Sequence, residues 1–261
     1  MKTIFKTAMY SLVLCCINVA TQQADAQTTT DTTPAKLIRV AIYDHSTDGP
    51  SKGCKNLTAF LTPENGFVAT TVTPEDIRTG ALANEDLLIM PGGSGSKQAK
   101  NLGEDGKQKI REFVAAGKGY MGICAGSYLA TNHYKWSLGL INAQVLDTKH
   151  WARGTGTVTL NLTELGQNKL AYNQPTCEVY YGQGPLLAPG NSPDMPKYEI
   201  MATYASEIAK NGAPQGVMIG TTAIARTQYD KGRVICFSPH PERPDGLNFL
   251  IINAARWAAR Q

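Results

Sequence analysis

An α/β fold around a mostly parallel central sheet is what this sequence predicts, on three observations. Short apolar runs recur and stop at glycine- or proline-rich turns, helix-compatible stretches stand between them, and the chain closes with one apolar stripe at helical spacing. Strand, helix, strand in that order argues for parallel strands with helices on both faces, since a parallel connection must cross over the sheet. Side chains that carry chemistry then belong on loops at the carboxyl ends of the strands.

The first residues stand outside that fold. Lys2 and Lys6 precede an apolar run from Ala8 to Ala20 and then Ala24-Asp25-Ala26, the pattern of a secretory signal peptide over residues 1–26, cut after Ala26. The run is shorter than the ~20 apolar residues a membrane span needs, and no later segment approaches that length, so no membrane span is expected. A lipid-anchor reading through Cys15 or Cys16 meets Leu14 where lipoprotein signals have a small side chain. Residues 27–36, QTTTDTTPAK, are polar without an apolar period and predict a disordered tether. The protein is therefore expected to be secreted or periplasmic, with residues 37–261 as one domain of roughly 225 residues, a length a single α/β domain reaches.

Leu37 to Tyr43 is a branched apolar run ending in DHSTDGPSKG, a buried strand and then a polar loop. Phe67 to Val72 and Asp86 to Met90 repeat the pattern, the second stopping at Pro91-Gly92-Gly93. Glu104 and Asp105 open a helix whose Ile110, Phe113 and Val114 share one face, with Gly117 as its stop, and Tyr120 to Ile123 is the next strand. Gly156 to Leu162 alternates as a strand does, whereas PLLAPGNSPDMP predicts a proline-rich loop. Gly216 to Ile219, Ala223 to Tyr229 and Arg233 to Ser238 read as closing strands, with Asp230-Lys231-Gly232 turning between the last two. From about Asp245, Leu247, Leu250, Ile251, Ala254 and Ala258 form the closing helical stripe.

Composition excludes some functions. The 25 basic and 21 acidic residues give a net charge of +4 with no basic run or aromatic–basic interleaving, so no nucleic-acid partner is expected. No histidine or carboxylate cluster has metal-ligand spacing, and Gly92-Gly93-Ser94-Gly95-Ser96 lacks the lysine of a phosphate-binding loop, so neither metal nor other cofactor is expected.

The stretch GYMGICAGSYLAT holds the strongest chemical signal. Gly122-Ile123-Cys124-Ala125-Gly126 has the G-x-nucleophile-x-G form of an elbow, in which small neighbours make room for a strained turn. A cysteine at the start of the following helix also feels the positive end of its dipole, which favours thiolate. A small buried thiol beside ordinary turn glycines is the competing reading. The base of choice lies in CFSPHPERPDG. His240 follows an apolar strand and should emerge at the same sheet edge as Cys124, and Glu242, two residues on, projects to the same side to orient the ring. A His-Pro turn with a solvated glutamate is the alternative.

These two segments resemble the catalytic motifs of class I glutamine amidotransferases, whose cysteine elbow is completed by a His-x-Glu element near the C-terminus. RVAIYDH, LLIMPGG, GYMGICAGSYLAT and VYYGQGP together resemble, more closely, the amidotransferase-like domain at the N-terminus of some biotin-protein ligases. The resemblance runs from Arg39 to Trp257. It implies a flavodoxin-like three-layer sandwich with Cys124 as nucleophile, His240 as base, Glu242 as orienter, and the N–H groups of Gly93 and Ala125 facing an oxyanion. One departure stands out: glutaminases of this class carry Gln shortly after the elbow, where this chain has Ser127-Tyr128.

Around that centre, Gly92, Asp44, Tyr181 and Gly182 are the candidate substrate-binding residues. Asp44-His45 and Tyr180-Tyr181-Gly182-Gln183-Gly184 both end strands at the catalytic edge, and turn chemistry accounts for either equally. His150, Trp151 and Arg153 form a loop suited to an anionic or planar group or to plain solvent. With Cys124 free and Cys236 inside an apolar strand, Cys54 and Cys177 are the pair expected to bridge in an oxidising compartment. The expected activity is that of a cysteine hydrolase acting through a thioester on a small-molecule or peptide-like amide, including γ-glutamyl bonds. A non-enzymatic binding module or a thiol redox sensor on the same fold are the alternatives.

Overall fold

The computed structural model describes residues 1–2 and 36–260. Apart from residues 1–2, the expected signal peptide lies outside the described residues, as does nearly all of the expected tether. The chain divides between Pro34 and Ala35, and the fold is that of the second unit. Among the described residues no helix is long and apolar enough to cross a membrane.

Five parallel strands form one half of an 11-stranded sheet: β1 (Ile38–Tyr43), β2 (Phe67–Val72), β3 (Leu87–Met90), β4 (Gly119–Ile123) and β11 (Gly232–Phe237), in the order β2-β1-β3-β4-β11. The expected strands of this half fall where the apolar runs lie. β1, β3 and β4 read as continuous hydrophobic runs because both faces are covered. Helices α1 (Lys52–Thr58), α5 (Glu164–Leu170) and α6 (Asn248–Ala258) pack into the core on one face. Helices α2 (Pro74–Arg78), α3 (Gly95–Ala115) and α4 (Ala125–Ala130) fill the other. Leu250, Ile251, Ala254 and Ala258 of the predicted stripe are buried against β4 and β11.

The sheet as a whole is mixed, which corrects the expectation of mostly parallel strands. Beyond β11 the order continues antiparallel through β10 (Thr222–Tyr229), β9 (Glu199–Tyr204), β6 (Gly156–Leu162) and β7 (Thr176–Tyr181), while β5 (Ala143–Leu146) pairs with β8 (Leu186–Pro189), which touches β10. Antiparallel neighbours need no helical crossover, and β10 and β11 are joined by a tight turn, although α5 lies between β6 and β7. β8 also replaces the front of the expected proline-rich loop. Gly216 to Ile219 form turns instead of a strand: Gly216 has φ 81° and Ile219 is 51% exposed. The helix expected at Glu104 is the second half of α3, because Gly103 (φ 64°, ψ −176°) breaks the helical path just before it.

Cys54 and Cys177 are both free thiols, which overturns the expected bridge. Cys54 lies in α1 beside β1, its thiol donating to the Tyr43 carbonyl at 3.4 Å, whereas Cys177 lies in β7 at the far end of the strand order. Both are buried.

Candidate active site

Three neighbouring parallel strands deliver the expected centre to one edge. β3 stops at Pro91-Gly92-Gly93, β4 at Cys124, and β11 at Ser238, two residues before His240; the register pairs Met90 with Gly122 and Ile123 with Phe237. The edge is that of the carboxyl ends, as strand order alone requires.

Cys124 caps α4 with φ 50° and ψ −99°, a conformation an L-residue adopts only under constraint. Its N–H donates to the Phe237 carbonyl at 2.8 Å, and its carbonyl accepts from Ser127 and Tyr128, so both flanks of the turn are tied. The elbow glycines are there for contact. A Cβ on Gly122 would lie 2.5 Å from the Gly126 carbonyl oxygen, and one on Gly126 would overlap the Met90 carbonyl. Ser127 fastens the turn from beneath, its hydroxyl reaching the carbonyls of Gly122 (2.9 Å) and Phe237 (2.8 Å). Cys124 is 5% exposed, and its thiol lies 3.5 Å from the Gly182 carbonyl. Ala125 is the first residue of α4, where an N–H has no acceptor within the helix.

His240 is held from four sides. Its N–H donates to the Tyr180 carbonyl at 2.8 Å, and its Nδ1 lies 2.8 Å from Glu242 Oε1. The backbones of Gly92 and Gly182 close on the ring, since a Cβ on either would come within 2.7 Å of it. Burial disfavours the charged imidazole, but hydrogen bonds with Cys124 and Glu242, and their charges, outweigh it and push the pKa up to about 10. Glu242 is 2% exposed, and its Oε2 has no partner.

Cys124 separates two hollows. The first, about 380 Å³, contains His240 and Glu242 and is rimmed by Lys52, Asn56, Tyr180 and Arg243. The second, about 440 Å³, has Tyr128, Tyr134, Trp136 and Trp151 for walls. Gly92 lines the first, while Gly93 and Gly182 line both.

Two expected substrate residues lie elsewhere. Tyr181 is fully buried with Cys177 and Val179 in the core, its hydroxyl donating to the Gly184 carbonyl at 2.9 Å. Its neighbour Tyr180 faces the first hollow, because successive side chains along β7 point to opposite faces. Asp44 is not in the wall of either hollow. Its carboxylate accepts from the N–H groups of Ser46 (3.0 Å) and Ser51 (2.7 Å), and although burial opposes ionisation these bonds lower its pKa to about 2. It organises the loop that delivers Lys52 and Asn56. His45 packs on Tyr43 away from the centre. Asp147 gathers the other loop, bonding His150 Nδ1 at 2.6 Å and Arg153 at 3.0 Å, and leaves Trp151 57% exposed.

Sequence reading missed the aromatic wall. Tyr134 and Trp136 stack at 4.5 Å and 7°, and buried Lys107, paired with Glu104, donates to the Trp136 carbonyl at 3.5 Å. The clustering of Tyr128, Tyr134 and Trp136 within nine positions was the available signal. Among the described residues no group of three or more His, Cys, Asp and Glu side chains could hold a metal ion.

Comparison with known proteins bears on the fold. Residues 40–152 match the family described as biotin-protein ligase, N terminal. A solved glutamine amidotransferase superposes over 82% of this chain and 98% of its own, with a TM-score of 0.54 and 17% identity. The fold is amidotransferase-like. A cytoplasmic protein of Salmonella typhimurium is similar in fold (12% identity, TM-score 0.53, 85% of this chain and 99% of that one). A thua-like protein of Parabacteroides merdae is similar in the same way (13% identity, TM-score 0.53, 86% and 90%). Among curated proteins, the pyridoxal 5'-phosphate synthase subunit PdxT of Natronomonas pharaonis is 38% identical over 65 residues, 24% of this chain. The chain spans 34% of the length of that relative.

Proposed function

We propose that the protein is an exported cysteine hydrolase that cleaves a small amide, γ-glutamyl or peptide-like bond through a thioester on Cys124. The observation that carries this reading is the constrained Cys124 turn beside an imidazole whose Nδ1 is held 2.8 Å from Glu242. In the first step the Cys124 proton passes to His240, whose charged form the Glu242 carboxylate favours, so that the sulfur attacks as thiolate. The thiolate attacks the amide carbonyl and forms the S–C bond, while N–H groups at Gly93 and Ala125 receive the oxyanion. Collapse of that adduct breaks the C–N bond as His240 gives its proton to the leaving amine. Neutral His240 then takes a proton from water, whose oxygen attacks the thioester, and the acid departs as the thiolate–imidazolium pair is restored.

Glutamine itself is not the favoured substrate. Tyr128, whose hydroxyl donates to the Gln183 carbonyl at 3.3 Å, stands just past the elbow where glutaminases of this class carry Gln. Hydrolysis of an amide and γ-glutamyl panel, with intact-mass detection of an acyl adduct on Cys124, tests the proposal. Turnover without any Cys124 adduct, and equal turnover by Cys124→Ala, would sink it.

A further inference from the structure

The two hollows that meet at Cys124 differ in chemistry, and the difference has a direction. On the His240 side the rim carries Lys52 and Arg243, the latter with its guanidinium 4.1 Å over the Tyr180 ring and its Nε 3.5 Å from Asp245. The carboxylate facing the same space, Glu242, is engaged by His240, so the rim offers a positive balance to an incoming anion. On the other side Tyr128, Tyr134, Trp136 and Trp151 form flat apolar walls, and Gly95 keeps the space open where a Cβ would press on Trp136 and Tyr128. Each hollow is of a size that holds a small ligand group.

His240 fixes which part of a substrate enters which hollow. A proton donor must lie beside the leaving nitrogen, so the amine half falls on the His240 side and the acyl half on the aromatic side. We infer that the substrate is an N-acyl amino acid: an aromatic or similarly flat acyl group stacks in the aromatic hollow, and the carboxylate of the released amino acid meets Lys52 and Arg243. This rests on the hydrolase reading for its direction. Hydrolysis consumes one water and yields a free carboxylic acid and an amino acid, with the sulfur returned unchanged.

Binding to full-length Cys124→Ala protein tests the inference without needing turnover. Titration calorimetry would compare hippurate and its one- and two-methylene homologues, which carry a ring and a carboxylate across one amide, with acetylglycine (no ring) and N-methylbenzamide (no carboxylate). At least one ring-and-carboxylate ligand should bind about tenfold or more tightly than either half, a difference of ~1.4 kcal/mol. Adding Trp151→Ala, a change at an exposed side chain, should weaken that ligand several-fold and leave acetylglycine unchanged. Adding Lys52→Ala should weaken that ligand and acetylglycine and spare N-methylbenzamide. Equal binding of full and half ligands, or indifference of both variants, overturns the inference. Failure of the hydrolase reading shows differently, as a hippurate preference here with no turnover by the unaltered protein.

Discussion

Gly182 lies so close to His240 that a Cβ placed on it would stand 2.6 Å from Nε2, and Gly92 stands against the adjoining ring atom, 2.7 Å from Cε1 by the same measure. Neither glycine has positive φ, so alanine suits both backbones and the substitution acts through the ring alone. Gly182→Ala should push the imidazole off its line to Cys124 and cost about 10²-fold in turnover, the scale of a 1 Å misplacement. A near-wild-type Tm would accompany it. Full activity in Gly182→Ala would mean that ring position does not limit the reaction.

The elbow strain gives a second expectation. With φ 50° at Cys124, a side chain pays roughly 1–3 kcal/mol that glycine avoids, against ~0.5–1 kcal/mol of extra chain entropy lost by glycine on folding. Cys124→Gly should therefore be about 1 kcal/mol more stable than Cys124→Ala in urea denaturation, while both are inactive. The reverse order would show that the turn is unstrained.

Thiol reactivity should be selective. Burial pushes the pKa of Cys54 and Cys236 up to about 12 and of Cys177 up to about 11, so at pH 7–8 none of them presents a useful thiolate. Limited iodoacetamide treatment and peptide mapping should find Cys124 modified first. Preferential modification of Cys54 or Cys177 would move the nucleophile elsewhere.

The parallel half of the fold and the Cys124–His240–Glu242 grouping were legible because their signals are local. A strand buried on both faces is a continuous apolar run, and a strained elbow needs its glycines in fixed places. In the antiparallel half β6 and β10 fall where strands were read, but two others are hidden: β8 is four residues inside a proline-rich stretch, and β9 mixes exposed Glu199 and Ile200 with buried Met201 and Ala202. Which of two adjacent tyrosines faces the site depends on the phase of β7, and phase is set by its pairing with β6, Thr157 opposite Tyr180 and Gly156 opposite Tyr181. The Cys54–Cys177 pairing failed for the same reason, since strand order separates residues that chain order leaves unconstrained.

Asp44 should act on the loop beneath Lys52 and Asn56. Its pKa is lowered in the fold to about 2 by Ser46 and Ser51, so the stability it supplies is fully present above the unfolded value near 3.8 and is lost as pH falls through about 2. Asp44→Ala removes charge-assisted bonds to two backbone N–H groups and should cost ~1–3 kcal/mol in chemical denaturation. Hydrogen exchange at Ser46 and Ser51 should rise in the variant. Unchanged exchange there would remove the organising role.

The pH profile tests His240 and Glu242 together. With its pKa near 10, His240 is charged and able to donate a proton throughout the neutral range, so kcat/KM on an amide should lose its basic limb only as pH rises through about 10. In Glu242→Gln the hydrogen bond remains possible but the negative charge is gone, and burial, which favours the neutral ring, gains ground. The basic limb should then move to lower pH, and activity should fall by less than in His240→Ala, although loss of the carboxylate can still reach ~10⁴-fold when the wrong tautomer results. His240→Ala combined with Cys124→Ala should be scarcely worse than Cys124→Ala alone, because the residues act as a unit. A basic limb that stays in place when Glu242 is neutralised would show that the titrating acid is some other group, and His240 would lose its role as the donor to the leaving amine.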